Sequence, residues 1–315
     1  MRRSMTLTLA LAGGLALSAA PATAQETLRL MTGPQGGVWV PVGGALKNIW
    51  ERGIPGISVQ TLPGAGVANV RGVEENRAEI GFGNSISTVD GLRGEAPFPR
   101  AVRNVCNIGS LYPQWFQVVA LADSGINRIE DLRGRPIALQ PRGNTAEVVT
   151  QHVLRAAGLS YSDVRPSFQA SYTDAVGLLR DGHAQVFTLG TTIPASSVMD
   201  LASARNIRFV DLAPYVARMR QINPGYQGEP LPAGTYPQQQ GTPVQITYTA
   251  HLITACNRSP EQVYQMTKLL WENVDTLRNI VGAMRQSTPR TGAADIGVPL
   301  HPGAERYYRE VGALR

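Results

Sequence analysis

Short apolar runs alternate with segments of helical periodicity along most of the chain, and this alternation restricts the fold more than any other feature. A first unit begins with a strand at 28–31, continues with a helix that opens at Gly36–Gly37, and reaches a further strand at 78–83. A second unit of similar size runs from Pro136 to Leu212. Alternating strands and helices are typical of mostly parallel sheets covered by helices. We therefore predict an α/β fold with two doubly wound lobes.

Two long extended runs, 102–120 and 245–256, flank the second unit. They are natural crossing points between lobes, and we interpret them as the strands that join the two. On this interpretation lobe one is discontinuous and comprises 25–116 plus 250–315, whereas lobe two comprises 117–249. Two lobes agree with the chain length of 315 residues, since a domain holds ~150 residues.

Three local patterns give further predictions. The first extended run is predicted to break around Tyr112–Pro113. Nine of the 23 residues in 223–245 are Pro or Gly, which predicts a loop. After it, Ser259 and Pro260 predict a helix start, and apolar residues from Val263 to Val281 predict one continuous amphipathic helix.

The first 24 residues have the pattern of a secretory signal peptide. Arg2 and Arg3 precede a mostly apolar run at 7–20, and Ala22-Thr23-Ala24 is a small-residue cleavage site. The run is shorter than the ~20 residues that a membrane span needs. We therefore expect cleavage near Ala24 and a periplasmic protein. A short anchor that stays uncut is the alternative.

Composition excludes several kinds of site. The net charge of +6 falls to +4 without the leader, because the leader carries two arginines and no acidic residue. A mildly basic, exported chain favours an anionic ligand over nucleic acid. Two cysteines and four histidines leave little room for a metal centre, so we expect no metal and no cofactor. The chain has no G-x-S-x-G or H-E-x-x-H motif, and we predict that it is not an enzyme.

The motifs that could bind a ligand are helix starts that follow strands. In open α/β sheets ligands bind where strand ends meet helix N-termini, whose free N–H groups attract anions. Tyr112 and Trp115 lie at the first crossing run and could wall a pocket, and Arg142 could pair with a carboxylate. The alternatives are ordinary turns, core aromatics and a solvated surface arginine. The candidate ligand-binding residues are Gly37, Val38, Trp39, Asn84, Ser85, Tyr112, Trp115, Arg142, Gly143, Asn144 and Thr145.

Cys106 and Cys256 lie 150 positions apart in the two extended runs. If these runs pair antiparallel at the hinge, both cysteines fall on the lobe-one side. An oxidising compartment would then permit a disulfide. Two buried free thiols are the alternative.

Segments in both predicted lobes, among them Leu30–Leu46, Asp131–Gly134 and the tail His301–Gly312, carry a resemblance to a known family. They resemble the TAXI family, the solute receptors of tripartite ATP-independent periplasmic (TRAP) transporters. The second lobe departs from the family at Arg142-Gly143-Asn144-Thr145, where members usually carry Gly-Ser-Gly-Thr, and at 190–194. The segments that carry the resemblance are Leu30–Leu46, Thr61–Arg71, Ala78–Phe82, Ser110–Pro113, Asp131–Gly134, Asn144–Glu147 and the tail His301–Gly312.

The resemblance implies a type II periplasmic-binding-protein fold with two hinge strands. It implies a receptor that closes on a small organic anion, a glutamate-like amino acid or a dicarboxylate, and delivers it to TRAP membrane permease subunits. We expect a monomer that binds no nucleic acid. A periplasmic ligand-sensing protein that feeds a membrane signalling partner is an alternative, and an exported enzyme on the same fold is another.

Overall fold

The computed structural model describes residues 25–314, so the predicted signal peptide lies outside the described residues. Strands and helices alternate through the start of lobe one, as the apolar pattern predicts. In chain order these elements are β1 (Glu26–Met31), α1 (Trp39–Gly53), β2 (Ile57–Leu62), α2 (Gly66–Glu74), β3 (Ile80–Asn84) and α3 (Ser85–Arg93).

The long strand β4 (Cys106–Leu121) then enters lobe two, and β10 (Val244–Thr254) returns from it. Lobe two holds β5 (Pro136–Leu139), α4 (Thr145–Ala156), β6 (Arg165–Phe168), α5 (Tyr172–Arg180), β7 (Val186–Thr191), α6 (Ser196–Ala204), β8 (Ile207–Phe209), α7 (Val216–Ile222) and β9 (Gln227–Pro230). After β10 the chain ends with α8 (Pro260–Glu272), α9 (Val274–Ile280), α10 (Pro289–Gly292) and α11 (Pro302–Glu310).

The ten strands of the described chain form one sheet, in the order β2-β1-β3-β10-β4-β7-β5-β6, with β8 beside β4 and β9 beside β10. The pairs of β1 with β2 and β3 are parallel, and so are those of β5 with β6 and β7. The central pair, β4 and β10, is antiparallel. The predicted α/β architecture is therefore confirmed: two parallel sheets are joined by an antiparallel pair.

The central strands β4 and β10 each extend through both lobes. Strand β3 pairs with β10 at 250–254, whereas β7 pairs with β4 at 115–120. The change of lobe therefore falls at the middle of both long strands. The lobe boundaries at 116 on β4 and 250 on β10 stay a prediction. Among residues 25–314, β4 and β10 are the strands that extend through both lobes, and we refer to them as the hinge strands.

Three local expectations differ from the structure. Strand β4 does not break at Tyr112–Pro113, because register shifts against β10 beside Pro113 absorb the irregularity. Part of the predicted loop forms the edge strand β9, whose terminal Pro230 is tolerated at a sheet edge. The long amphipathic helix is interrupted at Asn273, whose side chain donates to the Leu269 carbonyl and ends α8.

Helices cover both faces of the sheet in each lobe. In lobe one, α1, α8 and α11 bury Leu46, Trp50 and Tyr308, whereas α2 buries Val67 and Val70 on the opposite face. The Tyr308 hydroxyl donates to the Ile108 carbonyl at 3.0 Å. The C-terminal helix therefore packs directly on the lobe-one half of the hinge strand.

Cys106 and Cys256 are joined by a disulfide, with their Cα atoms 5.0 Å apart. The two long runs pair antiparallel as expected, and Cys106 lies opposite Thr254 at the lobe-one end of the hinge. The bond fastens the ends of both hinge strands together.

Within residues 25–314 no helix is long and apolar enough to cross a membrane. The same residues contain no group of three or more His, Cys, Asp or Glu side chains placed to hold a metal ion.

Candidate ligand-binding site

The candidate site is the cleft between the lobes, where the carboxyl ends of the parallel strands face one another. The helices α1, α2 and α3 start there from lobe one, and α4, α5 and α6 start there from lobe two. Parallel strands followed by helices place all these N-termini at one edge of each sheet. Because the first N–H groups of a helix have no intrahelical partner, the cleft edge is favourable for negative charge.

On the side formed by α2, α3 and α4 the two lobes touch. The Ala68 amide donates to the Gly143 carbonyl at 3.0 Å, and the Ser87 and Thr145 hydroxyls hydrogen-bond at 2.9 Å. A Cβ at Gly66 would overlap Thr145 Oγ1. Glycine is therefore needed for this approach, and the structure shows the lobes closed on this side.

Closure leaves an enclosed space, the inner cavity, of about 20 Å³. Its lining comes from both lobes and the hinge, including Trp39, Asn84, Gln114, Asn144 and Tyr172. A volume of this size holds about one water molecule. The cavity wall therefore contacts a bound group closely on every side.

Three polar atoms in this wall are buried and unpaired: Trp39 Nε1, Asn84 Oδ1 and Gln114 Oε1. Leaving a buried polar group without a partner costs about 1–3 kcal/mol. The two carboxamides can each offer a donor and an acceptor, and the indole offers a donor. The closed cavity is therefore matched to a solute that carries both acceptors and donors.

Tyr172 lines the wall, and Tyr248 lies behind it, next to Gly190. The Tyr172 hydroxyl donates to the Gly190 carbonyl at 2.9 Å, and its amide donates across the cleft to the Gln35 carbonyl at 3.2 Å. The buried Tyr248 hydroxyl beside Gly190 has no partner. Burial raises the pKa of Tyr248 well above its usual value, so it remains a neutral hydroxyl able to donate.

Five of the sequence-predicted residues line the inner cavity. They are Gly37, Val38, Trp39, Asn84 and Asn144. Asn144 also caps α4, because its side chain accepts from the Ala146 amide at 2.7 Å. Trp39 stacks on Phe82 with ring centroids 5.3 Å apart, which fixes the indole.

Three other predicted residues hold the closed arrangement together. Thr145 bonds across the cleft to Ser87, Gly143 accepts from Ala68, and the Ser85 hydroxyl accepts from the hinge amide of Thr249 at 3.1 Å. Their polar groups are occupied by lobe and hinge contacts.

Tyr112 and Trp115 line a second and much larger space, the outer groove, of about 1270 Å³. The groove and the inner cavity share Gly37 and Val38. Burial raises the pKa of the Tyr112 hydroxyl, which lies beside the Trp39 indole. Tyr112 thus lies where the two spaces approach each other.

Arg142 lines neither space. Its side chain is exposed, and its guanidinium lies 4.6 Å from the ring centroid of Phe168. Stacking on an aromatic face is a favourable alternative to pairing with a carboxylate. The structure therefore leaves the inner cavity without a charged side chain in its wall.

Sequence reasoning missed Gln114, Tyr172 and Gly190 in the cavity wall. Gln114 stands between two predicted aromatics, and Tyr172 begins a helix after a strand, so both positions carried a weak signal. Gly190 begins the segment 190–194, which departs from the TAXI pattern, and it leaves room for the Tyr248 hydroxyl.

Solved structures share this architecture at low sequence identity. A periplasmic transporter has a TM-score of 0.55 and 11% identity, with 93% of this chain and 94% of that chain covered. A protein from Bordetella bronchiseptica RB50 has a TM-score of 0.53 and 16% identity, with coverage of 91% and 81%. A putative L-cystine ABC transporter from Listeria monocytogenes has a TM-score of 0.52 and 11% identity, with coverage of 84% and 98%. The predicted periplasmic-binding-protein fold is thereby confirmed.

At the level of sequence, the profile of one protein family matches residues 30–312. The match extends from β1 to the residues just after α11, and it includes both lobes and both hinge strands. The chain belongs to the NMT1-like family.

Proposed function

We propose that this protein is an extracytoplasmic solute-binding receptor that captures a small organic anion between its lobes and delivers it to a membrane permease. The observation that carries the proposal is the inner cavity. Two lobes and a hinge enclose it, helix N-termini point at it, and Trp39, Asn84 and Gln114 leave buried polar atoms in its wall without partners.

These unpaired atoms couple binding to closure. In an open cleft bulk water can satisfy all three atoms, whereas the closed cavity has room for only about one water molecule or one polar group of a bound solute. Closure without a solute therefore carries a cost that a solute removes, so the ligand shifts the population towards the closed form. The hinge strands β4 and β10 allow rotation of the lobes as bodies.

The chemistry of the wall supports an anion with additional donors. Peptide N–H groups at helix starts favour a carboxylate, since they supply partial positive charge without a buried side-chain cation. The oxygens of Asn84 and Gln114 can accept from an ammonium or amide group. A glutamate-like amino acid meets both requirements, and a dicarboxylate meets the first.

Resemblance to the TAXI receptors supports a TRAP-type permease as the partner. The signal-peptide pattern at 1–24 supports a periplasmic location. Two structural relatives, described as a periplasmic transporter and a putative L-cystine ABC transporter, agree with a role in transport. No nucleophile–base set was recognised in the sequence, which favours binding without catalysis.

A thermal-shift screen of the mature chain against amino acids and di- and tricarboxylates tests the proposal. A solute bound by the closed form raises the melting temperature by mass action. Calorimetry of the best solute should give a micromolar Kd, equivalent to ~8 kcal/mol.

The Trp39→Phe variant, which keeps the ring and removes Nε1, and Asn84→Ala should each weaken binding about tenfold. The matched control is Asn206→Ala, because Asn206 is exposed and lines neither the inner cavity nor the outer groove. The proposal fails if no solute shifts the melting temperature, or if both cavity variants bind as tightly as the control.

A further inference from the structure

The outer groove lies beside the inner cavity and has the properties of a ligand surface. Both lobes and the hinge line it, and it meets the inner cavity at Gly37 and Val38. Its volume of about 1270 Å³ contrasts with about 20 Å³ inside. Any solute larger than one small polar group therefore extends into the groove when the lobes are closed as they are here.

Apolar side chains, several of them conformationally restricted, line the groove together with polar ones such as Ser110, Thr192 and Gln286. Four prolines line it, together with Trp115. Of the four large hydrophobic side chains exposed in the described chain, two lie on this groove: Val40 at 43% and Ile280 at 38%. Exposed apolar residues gathered on a concave surface indicate a binding site. Rigid walls lose little conformational freedom when a ligand binds.

Arg285 is the one charged residue in the groove lining. It is exposed and makes no ion pair or hydrogen bond within residues 25–314. Arg278, seven positions earlier, instead bonds the Met284 and Ser287 carbonyls and the Asp275 carboxylate. The groove therefore offers a free guanidinium beside an apolar wall.

We infer that the outer groove holds the body of the solute, so that the receptor selects an organic carboxylate with an apolar body and a second anionic group that pairs with Arg285. This inference rests on the proposed receptor function. It narrows the ligand class from small polar anions to elongated, amphipathic ones with a polar end in the inner cavity.

Calorimetry with α,ω-dicarboxylates from succinate to sebacate, and with monocarboxylates of equal length, tests the inference. Burial of each added methylene should tighten Kd about three- to fourfold until the groove is filled. At equal length the dicarboxylate should bind about two- to fivefold tighter, since an exposed ion pair contributes modestly. This preference should decline as salt is added.

A single and a double variant separate the contribution of Arg285 to affinity from that of the apolar groove wall. Arg285→Gln should abolish the preference for the dicarboxylate and its salt dependence, whereas Arg290→Gln, which alters an exposed arginine outside the groove lining, should change neither. The double variant Val40→Thr with Ile280→Thr should flatten the dependence on chain length. Its control is Val311→Thr, an exposed valine outside the groove.

The inference is overturned if affinity is independent of chain length, or if Arg285→Gln retains the full preference for dicarboxylates. It is also overturned if a short polar solute such as glutamate binds tightly while the long dicarboxylates do not. In that case loss of glutamate binding in Asn84→Ala would leave the receptor function standing. Failure of every solute in the broad screen would reject both proposals.

Discussion

The two sides of the cleft differ in how the lobes meet. On the side of α2, α3 and α4, called the closed side here, side chains and backbone bridge the lobes through Ser87–Thr145 and Asp90–Asn223. On the side of α1 and α6, called the open side, the lobes leave the outer groove between them, and a backbone hydrogen bond from the Tyr172 amide to the Gln35 carbonyl bridges them just before α1. This difference indicates separate roles for the two sides. Polar contacts on the closed side determine the free energy of closure, whereas residues on the open side contact the solute.

The largest expected effect concerns the disulfide, which lies on neither side of the cleft. It tests whether solute affinity depends on the contacts at the cleft and not on the overall stability of the protein. Replacing both Cys106 and Cys256 by Ser opens a loop of 150 residues, and the chain-entropy model gives a loss of about 4–5 kcal/mol in the free energy of unfolding. Denaturant unfolding should show this loss. Solute affinity should remain within twofold, and a large drop in affinity would contradict these separate roles.

On the closed side, Gly66→Ala should prevent full closure, because the added Cβ overlaps Thr145 Oγ1. We expect solute affinity to fall about 5- to 150-fold, because one extra methyl in a tight contact costs about 1–3 kcal/mol. Calorimetry measures the loss of affinity, and small-angle scattering with solute present measures the extent of closure. The control is Gly44→Ala, where a Cβ meets nothing within 4 Å. Partial recovery in Gly66→Ala with Thr145→Ala would identify the overlap as the cause.

Asp90 should make closure depend on pH. Its carboxylate accepts from Asn223 Nδ2 at 2.7 Å across the lobes, and burial, followed by the nearby Glu95, raises the pKa of Asp90 to about 7, while Asn223 and Arg93 oppose the rise. An open cleft returns this pKa towards its ordinary value of ~3.9. The closed form therefore holds a proton that the open form has lost between these two values.

The raised pKa of Asp90 in the closed form determines the direction of the pH dependence. The contribution of Asp90 to closure is fully present below its ordinary pKa and is lost as pH rises through about 7. Affinity should fall by up to about tenfold per pH unit between pH 5 and 7 and level off above. Calorimetry across this range checks it, and Asp90→Asn should flatten the profile. Glu147→Gln should not, since Glu147 is bonded within lobe two, to Gln151 and Tyr161. If affinity depends on pH in Asp90→Asn as it does in the wild type, Asp90 does not contribute to the pH dependence of closure.

The smallest effect concerns a single hydroxyl on the closed side. Thr145→Ala removes the hydrogen bond to Ser87, and a loss of about 0.5–1.5 kcal/mol corresponds to roughly two- to tenfold weaker solute binding. Thr145→Ser keeps the hydroxyl and should bind like the wild type. Equal affinity in all three proteins would mean that this bond does not distinguish the closed from the open form.

Much of the fold could be predicted because its signals are local. The start of α8 at Pro260 agrees with the sequence prediction, because the Ser259 side chain caps the helix by accepting from the Gln262 amide, a contact within one turn. Helix α7 and strand β9 were missed. Each is short, and β9 is stabilised by its neighbour β10 rather than by its own residues.

The candidate site was predicted less completely. Helix starts at Trp39, Ser85 and Thr145 follow from glycine, asparagine and strand ends in the sequence. Arg142 was predicted to face a ligand and instead lies over Phe168, 26 positions away. Its direction depends on a neighbour brought close by the pairing of β5 with β6, which no local pattern specifies.

The sequence by itself determined the alternation of strands and helices, the two long runs that became the hinge, and the helix starts that face the cleft, because periodicity and capping are short-range. Only the tertiary structure decided which side of the cleft is closed and which polar atoms are left unpaired. Those outcomes depend on contacts between residues such as Gly66 and Thr145, 79 positions apart, whose distance is set by how the two lobes meet across β4 and β10.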